Sequence, residues 1–270
     1  MTFQELQQVP MLAGYVVVMT VILGAVFGSF LNCMAWRIVH GESVWKGRSH
    51  CATCGHPLKA ADLVPVFSYL FLKGKCRYCG EKISPRYMVT EILSALWWLS
   101  CVLRYGLTMQ TVRVLAVICI LFTLSLVDLE SYRIPNSLVI ALIAAYAVTF
   151  PFIELGIGTG SGAALVPALL RSLGGAVLLG GGLLVVSLLF EKLAGKEGLG
   201  GGDIKLFFAV GLYLGPLNGL LCLIISCVIG LLMVALMRKG KIPFGPAIAI
   251  GMMICLYWGD GAVNWYLGLL

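Results

Sequence analysis

Charge is scarce in this chain. Only 11% of its 270 residues are Asp, Glu, Lys or Arg, while 60% are hydrophobic, and the mean hydropathy is +0.99. Soluble domains carry roughly a quarter charged residues, so a soluble enzyme, a disordered chain and a secreted disulfide scaffold are all excluded. A polytopic membrane protein remains. Residues 1–10 contain Glu5 and no Lys or Arg, so the positive segment that opens a cleavable signal peptide is missing. The net charge of +7 does not imply a nucleic-acid partner. Eight of the 19 basic residues lie between His40 and Tyr87, beside the apolar segments, and no pattern of stacking aromatics accompanies them.

A membrane-spanning helix needs roughly 20 mainly apolar residues. The sequence predicts an all-α fold of about eight such helices, over residues 12–38, 88–103, 111–128, 136–153, 172–190, 204–214, 217–237 and 244–258. Gly215-Pro216 separates the sixth from the seventh. The sixth would rise only ~16 Å, so a seven-span chain with a re-entrant segment there is the alternative. Excess Lys and Arg mark cytoplasmic loops. On that rule the 40–87 loop, Arg133, Lys192, Lys196, Arg238, Lys239 and Lys241 lie inside. Both termini and the Gly- and Ser-rich connection 154–170 then lie outside. The expected division is a first transmembrane helix (1–39), a cytoplasmic loop (40–87) and a transmembrane core (88–270).

That loop holds all three histidines and four of the ten cysteines. Cys51-x-x-Cys54 and Cys76-x-x-Cys79 stand 21 residues apart, each pair followed by Gly. Two such pairs at this spacing predict a tetrahedral zinc site. A cytoplasmic loop keeps its thiols reduced, which disfavours disulfides. A closed four-Cys set leaves no open position on the metal, so the role is structural; His50 or His56 could replace a Cys but neither is needed. Cys33, Cys101, Cys119, Cys222, Cys227 and Cys255 lie in apolar runs, as small buried hydrophobes do.

There are only twelve carboxylates, four of them Asp: Asp62, Asp128, Asp203 and Asp260. Acids at membrane depth are costly and mark function. Asp62 falls in the loop and Asp260 beyond the last helix. Asp128 closes the third span, in LSLVDLESYRIPN, and Asp203 opens the sixth after a glycine run, in GLGGGDIKLF. Both are expected on the cytoplasmic side at similar depth. Two carboxylates sharing one proton can activate water and polarise a carbonyl, as in an aspartic protease. Gly200, Gly201 and Gly202 would let backbone approach a substrate closely. Simpler roles stay open: Asp203 capping its helix, and Asp128 pairing with Arg133 or Lys205. Glu91 lies one turn inside the second span, where a salt bridge to Arg86 or Lys82 is the simple reading.

Taken together, these phrases resemble the type IV prepilin peptidases, the leader peptidase/N-methyltransferases of the GxGD intramembrane aspartic protease class. The resemblance runs along nearly the whole chain: GSFLNCMAWRI (28–38), HCATCGHPL, DLVPVFSYL, GKCRYCGEKISPRY, Glu91, the VDLE and RIPN phrases of 127–136, Gly200-Gly201-Gly202-Asp203 with the IKL that ends at Lys205, and IPFGPAIAIG (242–251). It departs from the family pattern at the residue after Cys51, where Pro is common, and at Met88. The resemblance implies that Asp128 and Asp203 are the catalytic pair, with Gly200, Gly202 and Lys205 in the catalytic loop. It implies prepilins and pilin-like pseudopilins as substrates, cut after a Gly behind a short basic leader at the cytoplasmic face of a bacterial inner membrane. It also implies methylation of the new amine from S-adenosylmethionine, with Glu91 linked to that step. Acidic partners for the leader would come from Glu42, Glu81, Glu91, Glu130 or Glu197. Two other classes fit the composition: a zinc-stabilised, non-enzymatic membrane scaffold, which has no need of Asp128 or Asp203, and an ion-coupled transporter, which the lack of a clear internal repeat disfavours.

Overall fold

The computed structural model describes residues 3–157, 164–196, 198–237 and 242–269. Regular structure among them is helical apart from two isolated β-bridges. Seven long helices follow in order: α1 (Pro10–His40), α2 (Arg86–Tyr105), α3 (Met109–Ser131), α4 (Asn136–Ile153), α5 (Leu165–Ala194), α6 (Gly201–Met237) and α7 (Gly245–Leu267). Six of these, all but α2, are long and apolar enough to cross a membrane, which defines a polytopic membrane protein. The all-helical expectation holds, whereas the count of eight is not reproduced. Arg238, Lys239, Lys241, Glu197 and most of the 154–170 connection's middle lie outside the described residues.

The chain divides into two compact units, Met1–Leu115 and Ala116–Leu270. In the first, α1 packs along α2 through glycines. A Cβ on Gly24 would stand 2.8 Å from Ala95 Cα, and one on Gly28 would stand 2.9 Å from Glu91 Cα. Small residues spaced this way let helix backbones approach where lipid gives no hydrophobic drive. Asn32 adds a polar tie, donating to the hydroxyl of Thr90.

The second unit is built around α6. A Cβ on Gly175 of α5 would stand 2.6 Å from Gly215 Cα of α6, and one on Gly180 would stand 2.6 Å from Phe208 Cβ. These two glycines serve close helix packing, whereas Gly195 adopts φ 65° and ends α5 in a left-handed cap. A π-helical turn at Val177–Gly181 interrupts α5. The expected break at Gly215-Pro216 is present: Gly215 has φ 72° and ψ −172°, outside the helical region, so α6 consists of two helices that meet at a kink. A straight helix over Gly201–Met237 would rise ~55 Å against an apolar bilayer core of ~30 Å; the kink is what divides it.

Candidate functional site

The loop between α1 and α2 folds as twin knuckles. In each, the residue four after the first Cys is a glycine at positive φ, Gly55 at 69° and Gly80 at 75°. Their amides bond back to the carbonyls of Cys51 (2.8 Å) and Cys76 (3.0 Å). The first cysteine's own amide bonds across the turn, to His56 in one knuckle and Glu81 in the other. Both glycines are required because a side chain at that φ is disfavoured. The four sulfurs converge within 4.8 Å of one another. Zinc–sulfur bonds of ~2.3 Å in a tetrahedron place sulfurs about 3.8 Å apart, and Cys51 Sγ and Cys79 Sγ are 3.9 Å apart. The donor set therefore fits zinc. Amides of Cys54 and Thr53 draw the Cys51 thiol down to about 7. At Cys79 the Glu81 amide favours thiolate, but desolvation and the three neighbouring sulfurs outweigh it and push the thiol up to about 12. A cation would remove that conflict by taking all four as thiolates. His50 and His56 are not in the cluster; they lie against Trp36 and Tyr78.

Asp62 braces the second knuckle. Its side chain is 3% exposed and pairs with Arg77 Nε at 2.6 Å. It also accepts from the Tyr78 hydroxyl (3.0 Å) and the Lys59 amide (3.1 Å). Burial disfavours its charge, but the Lys59 amide, Arg77 and Tyr78 prevail and hold its carboxyl below the ordinary range.

Glu91 lies on the α2 face that meets Gly28, and is 7% exposed. It does not pair with Arg86 or Lys82. Its Oε2 accepts the Val66 amide at 2.7 Å, and no other bond reaches its carboxylate among the described residues. Val66 has φ 63°, a costly conformation for a β-branched residue, and it directs that amide toward α2.

In the second unit three helix ends meet. Asp128 closes α3, Asp203 occupies the first turn of α6, and Gly245 begins α7. The amide of Gly245 donates to Asp128 Oδ2 at 2.8 Å. A Cβ there would stand 2.9 Å from both that oxygen and Leu124, so only glycine fits. Asp203 is near enough to Asp128 for their charges to interact. Its carboxylate makes no hydrogen bond among the described residues, so it is not a helix cap. Asp128 is 4% exposed and is not bonded to Arg133 or Lys205; Lys205 Nζ instead donates to Asn136 Oδ1 at 3.1 Å.

The glycine run has distinct tasks. A side chain on Gly200 would come within 2.9 Å of Asp203 Oδ2, and one on Gly202 within 2.9 Å of Ile134. The RIPN phrase thus seats against the GGGD turn twice, through Ile134 on Gly202 and Asn136 on Lys205. Sequence reasoning passed over Gly245, Asn136, Gly28 and Asn32 as site residues. The signals present were the glycine in IPFGPAIAIG and the four-residue spacing of Gly24 and Gly28.

The class this defines is a membrane protein with paired helix-end carboxylates and a four-Cys loop, and the comparisons make it particular. Residues 22–105 match the bacterial peptidase A24 N-terminal domain, and residues 115–235 match the type IV leader peptidase family. A prepilin leader peptidase/N-methyltransferase of Aeromonas salmonicida is 36% identical over 236 residues, covering 83% of this chain and 75% of the relative. Proteins of the same description from Pseudomonas putida and Bacillus subtilis are each 30% identical, covering 91% of this chain and 92% and 96% of theirs. No solved structure gives a significant match. The chain belongs to the type IV leader peptidase family.

Proposed function

We propose that the chain removes the short basic leader from type IV prepilins and pilin-like pseudopilins, and methylates the amine so exposed. The observation that carries the first activity is the meeting of Asp128 and Asp203, with Gly245 fixing one oxygen of Asp128. Its other oxygen and both oxygens of Asp203 are left for a water and the scissile carbonyl. Two like charges at one site share a proton. The ionised carboxylate takes the proton of the attacking water, and the neutral one donates to the carbonyl after the substrate's Gly. The glycine turn, Gly200 to Gly202, provides room for an extended peptide beside Asp203, and Lys205 holds the turn through Asn136.

Methylation is assigned to Glu91, whose unpaired oxygen can orient the amine and accept its proton. S-adenosylmethionine, when bound, supplies the methyl group as a sulfonium. Zinc on Cys51, Cys54, Cys76 and Cys79 has a structural role, because four thiolates leave no open coordination position. The bilayer is the bacterial inner membrane, and the basic loop faces the cytoplasm. Both carboxylate sites then lie on the side where a leader is presented. Co-expression with a model prepilin tests the reading. Mass spectrometry is expected to show leader loss and a gain of ~14 Da per methyl, and Asp128→Asn or Asp203→Asn is expected to abolish leader loss. Cleavage surviving both substitutions would refute the dyad.

A further inference from the structure

The loop of the N-terminal unit carries a short helix, Phe67–Phe71, whose two faces have different surroundings. Ser68, Tyr69 and Leu72 line a cavity that also borders Cys51 and Glu91. Phe67, Leu70 and Phe71, spaced i, i+3 and i+4, do not line it; they are 59%, 56% and 83% exposed. Val64, just before them, is exposed as well. Large apolar side chains are rarely left together in water. We propose that this face is an interfacial foot, seated at the acyl–headgroup boundary of the leaflet on the loop's side, with Lys73 and Lys75 on the phosphates of anionic phospholipids.

Depth is the first argument. The apolar run of α1 starts at Met11, and the ~20 residues that cross a ~30 Å hydrocarbon core end near Leu31. Gly28 therefore lies just inside the loop-side edge of the core. A Cβ on it would stand 2.9 Å from Glu91 Cα, and Glu91 Oε2 accepts the Val66 amide at 2.7 Å. The residue that precedes the short helix is thus tied within one side chain's reach of that edge. The Ser68 amide donates to the Val64 carbonyl at 3.0 Å, so the helix follows the tie directly. Charge is the second argument. Lys73 at φ 52° and Gly74 at φ 66° turn the chain sharply after the helix. Lys73 and Lys75 are exposed, and neither forms an ion pair among the described residues. Exposed Phe and Leu beside lysines are the makeup of a segment that lies on a membrane, with its apolar face in the boundary and its cations on anionic headgroups. A prepilin with a basic leader would meet like charge at these lysines, whereas an anionic leaflet meets opposite charge.

The test puts the photo-reactive p-benzoylphenylalanine in place of Phe71, an exposed position that tolerates it, in the full-length chain in nanodiscs containing phosphatidylglycerol. Irradiation followed by peptide mass spectrometry is expected to find a phospholipid adduct on that residue. Exchanging phosphatidylglycerol for phosphatidylcholine should lower the yield at least about threefold. Lys73→Gln combined with Lys75→Gln should do the same in phosphatidylglycerol, with hydrogen exchange in the two knuckles unchanged. An adduct to co-expressed prepilin or to a second copy of the chain in place of lipid would overturn the proposal, as would the absence of any adduct. A lipid yield indifferent both to headgroup charge and to the two lysines would overturn the assignment to anionic phospholipid.

Discussion

In the N-terminal unit the loop carboxylate is held from several sides: Asp62 has an arginine, a tyrosine and an amide. The C-terminal unit does the opposite: Asp128 has a single amide and Asp203 no hydrogen bond at all among the described residues. The knuckled loop has little apolar core and depends on sulfur, charge and hydrogen bonds for its shape. The helical unit takes its rigidity from glycine-mediated packing, so its carboxylates can stay unencumbered. A group that must exchange protons with water is better left unpaired, whereas one that braces a turn is better fixed.

Four perturbations would sharpen or break this contrast. The largest effect is expected from Asp128→Asn or Asp203→Asn, which should lower leader cleavage by at least ~10²–10⁴-fold without altering bound zinc; a cleavage assay paired with metal analysis reads both. Chelating the metal, or Cys76→Ser, should strike the other unit. The loop is expected to become sensitive to limited proteolysis and methylation to fall to background, since structural zinc binding is folding energy. If methylation persists after zinc is removed, the loop has no part in it.

Gly245→Ala should have a smaller and more local effect. The added methyl would stand 2.9 Å from Asp128 Oδ2, and a misplaced catalytic group costs about 10–100-fold. The fall should appear in kcat with KM little changed, measured on a detergent-solubilised prepilin. Acid should produce the smallest effect. Asp62 titrates below the ordinary carboxylate range in the folded loop, so its contribution is complete above the unfolded value of about 3.9 and is lost as pH falls through the lower folded value. Asp62→Asn should destabilise the loop at neutral pH and match the wild type at the acid end. Loop protection followed by hydrogen exchange from pH 6 downward checks this, and a constant difference across that range would contradict it.

Much of the site was legible because its chemistry is rare in this composition. With four Asp in the chain, Asp128 and Asp203 stood out at the ends of apolar runs, and two C-x-x-C pairs admit few readings. The knuckle glycines were legible for the same local reason, since a tight turn around sulfur needs positive φ. The role of Gly245 was not, because it lies 117 residues from Asp128 and reads locally as one more helix-opening glycine. Glu91 was visible as a residue but not in its environment: the expected partners were the nearby cations Arg86 and Lys82, and the actual one is the amide of Val66 in the loop.

The sequence alone determined an all-helical membrane protein, a four-thiolate site and the residues able to form an acid pair, because hydropathy, cysteine spacing and a scarcity of carboxylates are local or compositional properties. Tertiary structure decided that Gly175 of α5 seats against Gly215 of α6. It also decided that Gly245 positions Asp128, and that Glu91 meets the amide of Val66. Each of these depends on which backbones approach within van der Waals contact. That is set by packing between segments far apart in the chain, and no single stretch of sequence encodes it.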